Sequence, residues 1–239
     1  YDRFDLDLPG LTNEVKEALS LLEAQTYVQR NGNVYEYLTT EEQVIEEEIK
    51  NVDIDASEIS GALFRILSRD VINTSKIRYK NGQDFAFGFK LDDQVHGPQK
   101  ELSIHFITPE SSFTPDEIRM HSAGKDELRV IMVPEGRLLS DLRRYLKTEK
   151  YTKRKHATSL TALEEQILRS KAAQNTERYK ELIQRMRRSV GEAALIINAA
   201  DVPATSTDAL TRVTDGFQEL ISRTYTQLSL LGGVVHSEQ

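Results

Sequence analysis

Apolar residues at Leu11, Val15, Ala18, Leu19 and Leu22 recur at the three-to-four spacing of a helix that buries one face. Thr12 or Asn13 is placed to cap its start, and the pattern stops near Gln25. Two short β-forming runs follow, Tyr27-Val28 and Val34-Tyr35. Between them Asn31-Gly32 supplies the φ > 0 pair that a type I′ turn requires, so a wing-like hairpin is predicted. Thr39 and Glu42 then stand at capping-box spacing, ahead of a narrow apolar stripe at Val44, Ile45 and Ile49. Helix, hairpin and helix make residues 1–52 a winged-helix-like segment.

A third helix is capped by Ser57 and carries Ile59, Leu63, Ile66 and Leu67 to about Arg69, after which the period changes from helical to alternating. Ile77 and Tyr79 lead into Asn81-Gly82, and Phe85, Phe87 and Phe89 alternate as one strand with an aromatic face. That face is read as core; a base-stacking platform would need interleaved cations, and only Lys90 lies nearby. Residues 92–100 read as a loop and 102–107 as a further strand. Thr114-Pro115 has the cap-and-first-turn chemistry of a short helix that closes near Gly124. The continuous apolar run Leu128 to Val133 reads as a buried central strand.

From Leu138 a helix places Leu138, Leu142, Tyr145 and Leu146 on one face, with a break expected at Lys153, Arg154 and Lys155. A long helix is predicted over 158–190, although 169–181 nearly lacks large aliphatics, which weakens a heptad coiled coil. A short strand near 193–198, a loop at 200–206 and a last helix at 208–231 precede a fraying polar tail. The expected class is a mixed α/β (α+β) fold in three consecutive parts. These are the winged-helix-like segment 1–52, a small mixed sheet with helices over 53–150, and a helical region over 151–239. Strand order is not legible.

The 239 residues suffice for one large domain or two small ones. No apolar run approaches a membrane span, the first ten residues lack signal-peptide character, and cysteine is absent, so a cytoplasmic protein without disulfides or thiolate metal sites is expected. The chain opens at Tyr1 rather than methionine, and it is expected to be part of something longer. Its net charge of −7 hides two poles. Residues 1–60 hold 4 Lys/Arg against 15 Asp/Glu, whereas 137–190 hold 15 against 6.

Catalytic strings are missing. There is no GxxxxGK[ST] to surround a phosphate chain, no GxSxG elbow and no cysteine nucleophile. His96, His105, His121, His156 and His236 show no i,i+4 pair, and His105 on a strand is read as a hydrogen-bonded structural histidine. A hidden site from Asp92, Asp93, His96 and His105 would need convergence and a metal. The remaining candidate is the basic run Arg143, Arg144, Lys147, Lys150, Lys153, Arg154 and Lys155, which could neutralise nucleic-acid phosphates, with Tyr145 and Tyr151 as stacking partners. The wing itself carries only Arg30 between acid-rich helices, which favours protein contacts over DNA reading.

The segments QTYVQRNGNVYEYLTTEEQVIEEEIKN, RYKNGQDFAFGFKLDDQVHGPQKELSIHFITP and LRRYLKTEKYTKRK resemble the large P-loop proteins of the bacterial BREX phage-exclusion system, the BrxC or PglY family, over about 12–231. The resemblance implies the part downstream of an AAA-type ATPase core, in a subunit that works in antiviral defence with other BREX proteins and a DNA methyltransferase. The family's Walker residues have no matching positions, so no catalytic, metal or cofactor residue is carried over. ATP and Mg²⁺ are expected only in the ATPase part of the parent. Two functions follow as expectations. One is an assembly region that links the ATPase to partner subunits, with self-association open. The other is DNA binding through residues 143–155.

Overall fold

The capping chemistry along the chain sets most helix starts. A computed structural model describes residues 8–92, 94–155 and 159–228. The start expected at Thr158, together with Asp93, His156, His236 and the tail beyond Leu228, falls outside the described residues. Helix α1 spans Leu8–Ala24, strands β1 and β2 span Val28–Asn31 and Val34–Tyr37, and α2 spans Thr40–Lys50. Helix α3 (Ala56–Arg65) runs into a π-helical stretch, Ile66–Val71. Then come β3 (Lys76–Arg78), β4 (Asp84–Ala86), β5 (Gly88–Leu91), β6 (Gln94–His96), β7 (Ser103–Ile107), α4 (Pro115–Ser122) and β8 (Glu127–Ile131). Helices α5 (Leu138–Lys155) and α6 (Ala162–Gly191), strands β9 (Ala194–Ile197) and β10 (Ala200–Val202), and α7 (Ala209–Thr224) complete the order.

Thr39 and Thr114 each form the reciprocal capping box with the glutamate three residues on. Thr12 does not cap: α1 is already helical at Leu8, and the Thr12 hydroxyl bonds back to the Leu8 carbonyl. The β1–β2 pairing Asn31↔Val34 centres the turn on Gly32 and Asn33, and only Gly32 has positive φ (57°). One positive φ at the first central position fits type II′ rather than the expected I′. The break expected at Lys153–Lys155 is absent, because α5 continues through Lys155. The loop expectations at 92–100 and 200–206 give way to the short edge strands β6 and β10, and α7 ends at Thr224.

The chain folds as two compact units, each assembled from two stretches rather than from consecutive segments. The first contains the described residues of 1–55 and 139–182, because α5 and the first part of α6 return to the N-terminal elements. Its apolar cluster joins Ile45, Ile49 and Val52 to Tyr151, Ile167 and Leu168.

The second unit, the described residues of 56–138 and 183–239, is built on a six-stranded sheet of order β10-β9-β8-β7-β5-β6. Strands β5, β7 and β8 are parallel, while β6, β9 and β10 pair antiparallel. The strand residues 128–131, apolar except for Arg129, are central and fully covered except at the end, as the sequence predicts. The Phe alternation is split: Phe85 lies in the separate β3–β4 hairpin, while Phe89 lies in the main sheet. Phe87 meets Phe217 of α7, and Phe89 meets Phe64 and Phe106, so these rings build core.

One face of the sheet carries Phe89, Ile104, Phe106, Leu128, Val130 and Leu195. Helix α7 lies on it, where Gly216 allows close approach: a Cβ there would meet Leu195 Cδ1 at 2.9 Å. The period-2 alternation sends Lys90, Ser103, His105, Glu127 and Arg129 to the opposite face. Helix α4 covers one end of that face through the cluster Ile107, Ile118 and Ile196.

Candidate functional site

The basic run on α5 faces the acidic start of the chain within the first unit. Arg144 donates to Glu23 at 2.9 Å and to Glu46 at 2.7 Å. Lys147 caps the carbonyl of Lys50, and Lys150 that of Asp53. Lys153 pairs with Glu149 on its own helix, and Lys155 pairs with Glu48 at 2.9 Å. Arg143 and Arg154 are exposed. The stacking candidates are also engaged: the Tyr145 ring lies 5.1 Å from that of Tyr179, and the buried Tyr151 hydroxyl donates to Glu48 at 2.6 Å. Burial and that bond to Glu48 push the Tyr151 hydroxyl up.

Behind this helix lies a buried polar cluster that periodicity did not reveal. Lys171 of α6 donates to Glu46 of α2 at 2.6 Å and also contacts Gln29 of the hairpin. Asn175 donates to the Tyr145 carbonyl, and Arg178 donates to Asn175 at 2.7 Å. Burial alone would raise the Glu46 carboxyl, but Arg144 and Lys171 outweigh it and hold it below the usual range. Burial, followed by the charge of Arg144, pushes Arg178 down to about 10, which leaves it charged at neutral pH. The inner face of the stretch poor in aliphatics therefore buries polar and charged groups at Lys171 and Asn175, and its one readable signal was the missing apolar seam.

In the second unit, the polar sheet face holds a charged ladder. The strand register sets Lys90, His105 and Arg129 side by side. Glu127, whose side chain is only 2% exposed, accepts from Lys90 at 2.7 Å and from Arg129 Nε at 2.7 Å. Arg129 also donates to the carbonyls of Ile118 and His121, which ties β8 to the end of α4. Burial raises the Glu127 carboxyl, but the hydrogen bonds and the Arg129 charge hold it far below its ordinary value. It is a fixed anion and not a proton carrier at neutral pH.

His105 Nε2 contacts the Asp92 carbonyl, while its Nδ1 stands 3.7 Å from Glu127, too long for a hydrogen bond. Asp92 gives both carboxylate oxygens to Thr108. His96 stacks on Phe64 and faces Ser60. The described members of the imagined Asp-His site therefore have separate structural partners, and no cluster of three or more acidic and histidine side chains among the described residues is arranged to hold a metal ion. No helix among the described residues is long and apolar enough to cross a membrane.

A family model described as "BREX ATP-binding protein BrxC 4th domain with six-stranded beta sheet" matches residues 52–220. The sheet of the second unit has that number of strands. No solved structure matches the chain.

Proposed function

Since this chain belongs to the family of the fourth domain of the BREX ATP-binding protein BrxC, we propose that it serves that system as a non-catalytic assembly region, linking an ATPase to partner subunits. Membership gives the role in the BREX system; the linking role rests on a surface. Helix α1 has 17 residues and no buried side chain. Leu8, Leu11, Val15 and Leu21 are all exposed, and so are Tyr27, Val34 and Tyr37 in and beside the adjoining hairpin. Helices in proteins draw most of their stability from a packed apolar face, and an exposed apolar stripe of this kind is the usual mark of a protein contact. These residues precede the matched segment, so the stripe is a property of this chain rather than of the family description.

The chain holds no GxxxxGK[ST] string, so nucleotide hydrolysis falls to other parts of such a protein. The test is capture of purified BREX subunits by the immobilised chain, alongside Leu11→Glu/Val15→Glu. Capture that the variant loses, at unchanged melting temperature, supports assembly through α1. Failure to capture any BREX subunit overturns the reading.

Nucleic-acid binding through residues 143–155 retains support from the exposure of Arg143, Lys153 and Arg154, while Arg144, Lys147, Lys150 and Lys155 bond to carboxylates and carbonyls of the acidic start of the chain. Steep salt dependence of binding to labelled DNA, reduced when these three become alanine, would favour it over assembly.

A further inference from the structure

The polar sheet face of the second unit contains a trough with small residues on its floor and two lysines on its rim. Its floor is the row Gly88, Ser103 and Glu127, placed side by side by the parallel register. Two of these three are among the smallest residues, and they leave a cavity of about 330 Å³ above the sheet. The segment that carries Lys100 closes over one side: a Cβ on Gly88 would come within 3.2 Å of the Lys100 amide nitrogen. A second cavity of about 240 Å³, over His105, continues the trough and shares Lys90, Lys125 and Glu127 with the first.

The carboxylates that line the trough are already engaged. Glu127 is bound by Lys90 and Arg129, Asp126 accepts from Thr224 at 3.0 Å, Glu101 holds the Tyr225 hydroxyl, and Asp92 is held by Thr108. The lysines on the rim differ. Lys100 and Lys125 have no ion pair or side-chain hydrogen bond among the described residues. Ser103 lines the floor at 6% exposure, and its hydroxyl likewise has no partner among the described residues. The hydroxyl faces the cavity, where it is available to whatever occupies that space.

We infer that this trough binds a phosphate group, free or as the monoester of a small molecule, through the ammonium groups of Lys100 and Lys125 and the hydroxyl of Ser103. Two mobile cations and one neutral donor suit a group with nearly two negative charges and three acceptor oxygens. The ionised Glu127 does not repel it strongly, because Lys90 and Arg129 neutralise that carboxylate in place. The site is independent of the α1 surface and of the assembly reading.

The test is a titration of the isotope-labelled chain, followed by NMR at constant ionic strength, with inorganic phosphate in one arm and glycerol phosphate in the other. Saturable shifts are expected at the amides of Gly88, Ser103 and Lys125. Affinity should weaken by roughly tenfold or more in Lys100→Ala/Lys125→Ala, as befits the loss of two charge-assisted contacts. Both replaced side chains are exposed, so this variant keeps the fold, and Ser103→Ala provides a second reading at the floor. Tighter binding of the ester marks a metabolite site, and equal binding marks a site for the free ion. Shifts spread over unrelated lysines, or an affinity unchanged in the double variant, would overturn the assignment.

Discussion

Lys171 and Glu46 meet at 2.6 Å with side chains 4% and 5% exposed, a charged pair enclosed within the first unit. Breaking one side of such a pair leaves a charge in a poorly solvated place. Lys171→Met should therefore lower the stability of this unit by about 3 kcal/mol, with Arg144 limiting the loss. Urea unfolding monitored at the tyrosines measures it, and a loss below about 1 kcal/mol would show that the pair is better solvated than its burial indicates.

Glu127 predicts an acid limb in the second unit. Its ordinary value is 4.5, and the folded state holds it lower. The folded carboxylate thus binds its proton less tightly than the unfolded chain does. Its stabilising contribution is complete above pH 4.5 and is lost as pH falls toward the folded value. Melting temperatures recorded from neutral pH downward should fall less steeply below pH 4.5 for Glu127→Gln than for the parent chain. At neutral pH the variant should be less stable by about 3 kcal/mol, because Arg129 stays buried without its counter-charge.

Gly216 sets how closely α7 approaches the sheet. Gly216→Ala adds a methyl group 2.9 Å from Leu195 Cδ1 and 3.1 Å from Leu128, in packed surroundings. The expected cost is about 1–3 kcal/mol by denaturant titration, with unchanged helix content by circular dichroism.

The Asp208 carboxylate accepts from the Thr211 amide at 2.9 Å and caps α7. Asp208→Ala should cost about 1 kcal/mol, whereas Asp208→Asn or Asp208→Ser should restore most of it. Equal losses in all three would exclude capping as the cause.

Exposed Lys153 and Arg154 offer a contrast with Arg144. Lys153→Ala/Arg154→Ala should change stability by no more than about 0.5 kcal/mol, while Arg144→Ala, which leaves Glu46 with one cation fewer, should cost several times as much. Thermal melts of the three proteins in one buffer decide it.

What the sequence determined by itself lies within a few residues of each signal. The capping box at Thr39, the cap at Thr114, the hairpin around Gly32, the start of the last helix near 208 and the buried run from Leu128 all depend on neighbours along the chain, and each appears close to where its chemistry places it. The local similarity that pointed to the BREX family was equally legible. Where an expectation slipped, the alternatives were nearly equal locally: one residue of turn register at Gly32, or an extended stretch at Gln94–His96 that became a strand only because β5 lay beside it.

Tertiary structure alone decided the pairing of the two charge poles. Glu46 and Lys171 are 125 residues apart, and no periodicity in either helix specifies that Arg144, Lys147, Lys150 and Lys155 turn toward the acidic start of the chain. The sequence could show that opposite charges existed in quantity; their match depends on how α5 and α6 return within the first unit. The same holds for the polar sheet face, where Gly88, Ser103 and Glu127 read as unrelated residues until the parallel register of β5, β7 and β8 sets them in one row. Local propensity acts through backbone neighbours, whereas a site is made by side chains that become neighbours only after the strands and helices have packed.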